Sequence, residues 1–183
     1  MSSLTALQIC ANISEKKELS NMLRVITKMG QLPFGALKQI YIQSNKEAAN
    51  ADYPNRPDGL LQAEADFYDY LKNGFFQVEG AYYCLWDVNG KPVSALRLEP
   101  YRDGLLLTGL ETDPEQRGMG YAGALMAAAL ASVDKPVYSH IERNNLASVR
   151  AHEKCGFKKI TIFAVLLDGS VSQNADTYLR KFV

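Results

Sequence analysis

The chain is short of most of the residues from which recognisable centres are built. Its three cysteines, Cys10, Cys84 and Cys155, are widely spaced and form no C-x-x-C. That argues against a disulfide scaffold or a zinc site and for a reducing compartment, and no metal is expected. Net charge is missing as well: Lys and Arg together number 20, and so do Asp and Glu. No global field therefore draws the chain to nucleic acid or to an anionic membrane surface. The longest apolar stretches, around residues 124–133 and 160–167, fall short of the roughly 20 residues that span a bilayer. Glu15, Lys16, Lys17 and Glu18 stand where a leader would carry its apolar run. There is no internal repeat and no low-complexity tract. One cytoplasmic domain over 1–183, with room for a sizeable core and with no nucleic-acid or membrane partner, is the expectation.

What is present is glycine in an unusual place. Residues 115–130 read EQRGMGYAGALMAAAL. The C-terminal half of this run favours helix strongly, yet its start carries Gly118, Gly120 and Gly123, each about 1 kcal/mol worse than alanine in a helix. The first turn of a helix exposes unpaired N–H groups at a partly positive end, and glycines there let a bulky anion approach. With Arg117 adjacent, a phosphate or pyrophosphate is the expected guest; the alternative is a tight βα turn with no ligand.

The surrounding pattern supplies the context. Residues 1–74 read as mostly helical: Leu19, Met22, Leu23 and Ile26 recur at helical spacing before Gly30, residues 51–59 are a loop, and Asp58 is placed to cap a helix carrying Leu60, Leu61, Phe67, Tyr68 and Leu71. From residue 75 the character changes to strands. Asn89-Gly90 is a strong hairpin signal, and a second turn at residues 101–104 leads into LLLTGLET, 105–112. Three strands should thus form an antiparallel meander. A helix over 118–133 and a strand over 137–142 complete a βαβ crossover, expected to be parallel and right-handed. A helix ending at Cys155-Gly156, a strand over 157–167, a turn at Asp168-Gly169 and a last strand over 177–183 follow. The fold class is mixed α/β: a twisted sheet of about six or seven strands with helices on both faces and a C-terminal strand pair.

GMGYAG, residues 118–123, matches the dinucleotide fingerprint G-x-G-x-x-G, with Glu142 about where a ribose-binding acid would sit. That reading, a nucleotide-binding oxidoreductase, fails on context, because an antiparallel meander precedes the motif and only one crossover follows. The segment LETDPEQRGMGYAGALM, with R-x-x-G-x-A at residues 117–122, resembles the acyl-CoA loop of the GNAT superfamily of N-acetyltransferases. Asn145, Ser148, His152, Gly156 and Phe157 fall in the register of that family's second motif, N-x-x-A/S-x-x-x-Y-x-x-x-G-F. The resemblance covers roughly residues 75–183, the sheet and acyl-CoA portion.

The resemblance implies that strands 105–112 and 137–142 splay at their C-terminal ends. Acetyl-CoA would lie between them, its pantetheine amides on Leu110, Glu111 and Thr112. Its pyrophosphate would rest on the N–H groups of Arg117, Gly118, Met119, Gly120, Tyr121 and Ala122. Asn145 would hold the coenzyme side or cap its helix. The family's usual tyrosine acid is replaced by His152, which is proposed as general acid, or is simply a helix residue satisfied by Ser148. His140 stands where N-terminal acetyltransferases of the family carry a glutamate base and is the candidate general base, with Glu111 and Asp113 in reserve; a surface strand residue is its alternative. The implied activity is acetyl transfer to an amine of a small molecule or peptide in a ternary complex; the alternative is a non-catalytic acyl-CoA-binding module. A homodimer stays open. The helices of residues 1–74 would form the acceptor side, where Asp66, Asp69, Phe67, Tyr68, Tyr70, Phe75 and Phe76 either hold a cationic amine or make up an ordinary amphipathic surface.

Overall fold

The computed structural model describes residues 21–181. Seven strands join one sheet in the order β1-β2-β3-β4-β5-β9-β6. They are β1 (Asn21–Ile26), β2 (Tyr82–Val88), β3 (Lys91–Tyr101), β4 (Gly104–Thr112), β5 (Val137–Glu142), β6 (Lys158–Thr161) and β9 (Ala175–Arg180). A separate ribbon pairs β7 (Ala164–Val165) with β8 (Val171–Ser172). The helices are α1 (Phe34–Ile40), α2 (Ile42–Asp52), α3 (Gly59–Asn73), α4 (Tyr121–Leu130) and α5 (Leu146–Lys154). β4 and β5 run parallel, and the other neighbouring strands run antiparallel.

Strand alternation divides the interior into two cores. On β2, Cys84 faces one way and Tyr83 and Leu85 the other; on β3, Leu96 and Leu98 oppose Ala95. The first face takes α4 through Leu125, Met126, Ala129 and Leu130, and the second takes α1 and α3 through Leu37, Ile40 and Leu71. Helices therefore lie on both faces of the sheet, which is the mixed α/β class that the sequence led us to expect. Leu125 is fully buried, so truncating it to alanine should cost roughly 2–5 kcal/mol.

Five local expectations are corrected. The helical spacing of Met22, Leu23 and Ile26 belongs to strand β1, which pairs along β2 from Asn21↔Val88 to Ile26↔Tyr83; Leu19 lies outside the described residues. Met22 and Val25 stay exposed, as suits an edge strand, and ladder hydrogen bonds outweigh a weak local period. The meander thus has four strands. α4 begins at Tyr121, not at residue 118, because Gly118 and Gly120 have φ of +80° and +81°, which no helix interior admits. The strand expected over 157–167 breaks into β6 and β7, and the last strand closes at Arg180, with Phe182 and Val183 outside the described residues. Asp58 occupies the cap position of α3 without capping it: its carboxylate accepts from Arg56 Nε and Nη2 at 3.0 and 2.7 Å.

Candidate functional site

The sheet opens in its middle. β4 and β5 pair only at Leu105↔Val137, Leu106↔Tyr138 and Leu107↔Ser139; beyond that, the edge of β4 facing β5 has no partner strand among the described residues. The cause is in β4 itself. Its pairing with β3 slips so that residues 109 and 110 together oppose Leu96, a β-bulge that bends the strand. Gly109 makes the bulge possible, with φ of +57°, and a Cβ there would lie 2.7 Å from Nη2 of Arg97. An isolated glycine inside a strand pattern is the signal that marks such a bulge in a sequence.

The fork widens into a cleft of about 1000 Å3. Its floor is the β4 edge, and one end is the turn from β4 into α4. Gly118 and Gly120 hold that turn open: both φ angles are left-handed, and a Cβ at either position would meet nothing within 4 Å. The N–H groups of residues 117–123 find no acceptor among the described residues, the first helical bond being Ala124 N–H to Gly120 O. A row of unpaired donors at a helix start, with space in front of it, suits a phosphate-bearing group. Arg117 folds back, donating from Nε to the Thr112 carbonyl (3.2 Å) and from Nη1 to Gln43 on α2 (2.7 Å). Met119 is 59% exposed at the rim. Tyr121 and Ala122 line the cleft.

The other positions singled out in the sequence converge unevenly. Leu110 packs against the α4 core, whereas Glu111 on the opposite face accepts from Ser44 of α2, and burial raises its carboxyl. Thr112 Oγ1 is held by Ser94 Oγ at 2.9 Å. Asp113 accepts from the Glu115 N–H and from Gln39, which leaves it poorly placed as a base. Asn145 caps α5, its Oδ1 accepting from the Ser148 N–H at 3.0 Å.

The two histidines lie on opposite faces of the fork. His152 is 2% exposed and packs its edge on Phe157. Its Nδ1–H donates to the Ser148 carbonyl at 2.8 Å, and its Nε2 lies 3.1 Å from Ser139 Oγ. Burial lowers its pKa, against the Ser148 carbonyl. A neutral ring whose only N–H is bound to a backbone oxygen is poorly suited to donate a proton, so the geometry runs against the acid expected at this position. His140 differs. Thr177 Oγ1 gives its hydrogen to the Phe163 carbonyl (2.7 Å) and so accepts from His140 Nδ1–H (3.2 Å). That leaves Nε2 buried and without a hydrogen bond among the described residues, as is Thr108 Oγ1, with the Val165 carbonyl near enough to the ring to favour its charged form; both residues line the cleft. Burial lowers the pKa of His140 too, keeping the ring neutral at neutral pH.

On the expected acceptor side, Phe75 and Phe76 pack with Tyr83 in the core, Tyr68 sets its edge on Phe34, and Asp66 is bound by Tyr53 and Gln62. Phe67 and Tyr70 face the chain's own Arg97, 5.9 and 5.2 Å from its Cζ. Among the described residues there is no His/Cys/Asp/Glu cluster that could hold a metal and no helix long and apolar enough to cross a membrane.

A family model described as the acetyltransferase (GNAT) family matches residues 42–157. No curated protein matches the chain. Solved structures with the same fold include a histone acetyltransferase HPA2 and related acetyltransferase from Corynebacterium glutamicum, 14% identical with a TM-score of 0.64 over 90% of this chain and 97% of that one. A PaiA N-acetyltransferase from Thermoplasma acidophilum in complex with coenzyme A is 12% identical, with a TM-score of 0.59 over 88% and 99%. A spermidine N-acetyltransferase chimera from Vibrio cholerae is 19% identical, with a TM-score of 0.56 over 88% and 95%.

Proposed function

The chain belongs to the acetyltransferase (GNAT) family, and from that premise we propose that it transfers the acetyl group of acetyl-CoA to a primary amine by direct attack in a ternary complex. The observation that carries this reading is the forked pair β4–β5 ending in a turn of unpaired N–H groups. The diphosphate would take the donors of residues 117–122, and the pantetheine amides the open edge at Leu110, Glu111 and Thr112. Acetyl-CoA brings the acetyl group as a thioester. His140 does the proton work: the C–N bond forms as the amine's proton passes to Nε2, the C–S bond breaks, and the departing sulfur regains a proton from the same imidazolium. His152 is a positioning residue that fixes Ser139 at the apex of the fork. Residues up to 74 supply the acceptor side and residues 75–183 the coenzyme side. Unpaired thiols at Cys84 and Cys155 fit a reducing cytoplasm; whether the protein works as a monomer or a homodimer does not alter the chemistry.

A second reading, a non-catalytic acyl-CoA-binding module, is favoured by one observation: the position of the family's tyrosine acid holds a histidine with both nitrogens engaged. Thiol release from acetyl-CoA over a panel of primary amines separates the two. Amine-dependent release supports transfer; coenzyme binding with no release under any amine supports the module.

A further inference from the structure

A second hollow of about 430 Å3 lies behind the fork, on the opposite face of β4 from α4. Ser44, Gly109 and Glu111 border both this hollow and the coenzyme cleft, so a molecule seated here reaches the place where transfer would occur. Its most unusual occupant is Arg97. The guanidinium projects from β3 across the bulge and lies over the rings of Phe67 and Tyr70, which are one turn apart on α3. The five ion pairs among the described residues leave it out, and its Nε is buried without a hydrogen-bond partner. Tyr83, Tyr41, Tyr70 and then Glu99, two residues along the same strand face, favour its charge at longer range, but none of them takes the Nε hydrogen. A buried cation without a bonded anion is costly, and Gly109 is the residue whose missing side chain makes room for it.

A second orphan points the same way. Asn45 of α2 is 5% exposed and lines the hollow with its Nδ2 buried and unpaired. Two unused donors, one charged, thus meet an aromatic wall, while Glu111 supplies the opposite sign beside the cleft.

We infer that this hollow is built for an α-amino acid: its carboxylate pairs with Arg97 and Asn45, its amino group faces Glu111 and the coenzyme cleft, and its side chain lies against Phe67 and Tyr70. The spacing is economical, since Arg97 and Glu111 approach the same bulge and an α-amino acid separates its two charges by one carbon. This deepens the transferase reading by naming the acceptor class, yet it can be tested without turnover.

The probes are the standard L-amino acids, their C-terminal amides and spermidine, titrated calorimetrically into the full chain saturated with coenzyme A. At least one amino acid should bind, with its amide weaker by on the order of 10- to 100-fold, the worth of a charge-assisted hydrogen bond. Arg97→Gln and Asn45→Ala should each erode the acid-over-amide ratio while leaving coenzyme A affinity unchanged. Equal binding of acid and amide, binding of spermidine in their place, or no amino-acid binding to a coenzyme-loaded protein overturns the proposal, and none of these outcomes depends on a variant folding. Failure of the transferase reading looks different: the amino acid binds, and acetyl-CoA releases no thiol.

Discussion

The two hollows beside β4 are made by opposite means. The coenzyme cleft is a backbone site: an unpaired strand edge and a run of free N–H groups at the start of α4. The pocket behind it is a side-chain site, assembled from Asn45, Phe67, Tyr70, Arg97 and Glu111, which come from four elements. Backbone donors look alike in every sequence that folds this way, so a cleft of this kind suits a partner that does not change. Side-chain donors can be exchanged one at a time, which suits the partner that differs between relatives.

That contrast predicts unequal responses to mutation, and the largest falls inside the first cleft. His140→Ala should lower kcat/KM by roughly 10²–10⁴-fold while leaving acetyl-CoA affinity in place, as calorimetry would show. With the ring in the proposed role of neutral base, and with burial lowering its pKa, activity should rise with pH through an apparent pKa below about 6.5, and this acid limb should vanish in the variant. On the backbone side, Gly120→Val should weaken coenzyme binding by about 10- to 100-fold at a stability cost of about 1–2 kcal/mol for the left-handed φ. If Arg117→Ala weakened the coenzyme more than Gly120→Val does, the cleft would be a side-chain site after all and the comparison would collapse.

Smaller effects sharpen the boundary. Asn145→Ala should cost about 1 kcal/mol of stability in thermal unfolding, the worth of its N-cap, with coenzyme affinity little changed. The smallest response is to acid. The folded-state pKa values of His140 and His152 are lowered by burial, so the unfolded chain binds more protons below about 6.5. Stability should be level above that pH and fall as pH drops through it, and His152→Phe should flatten the slope.

The same division explains what could be read in the sequence. The open turn before α4 and the helix α5 were legible because Gly118 and Gly120 are where the backbone itself needs glycine, and because Asn145 and Gly156 bracket a helix at a fixed interval. The crossover from β4 through α4 to β5 followed from a clear change of hydrophobic period. The acceptor side was silent. Nothing near Arg97 in the chain says that its head group will lie unpaired over Phe67 and Tyr70, thirty and twenty-seven positions away. The aromatic run of α3 suggested a cage for a cationic guest, and the cation it holds is the protein's own. β1 was misread for a related reason: six residues at an edge carry too short a pattern to choose between periods, and the deciding contacts, with β2, lie some sixty positions on.

Side chains along a strand alternate, and the surplus residue at Gly109 is absorbed without upsetting that order, because Gly109 and Leu110 share the place opposite Leu96 and Glu111 falls in step with Ala95. Removing that glycine would leave Leu110 alone opposite Leu96, still facing α4, with Glu111 still facing α2. A one-codon deletion would therefore keep grease and charge on their own sides and take away only the bend, straightening β4 toward β5 without altering any other letter of the sequence.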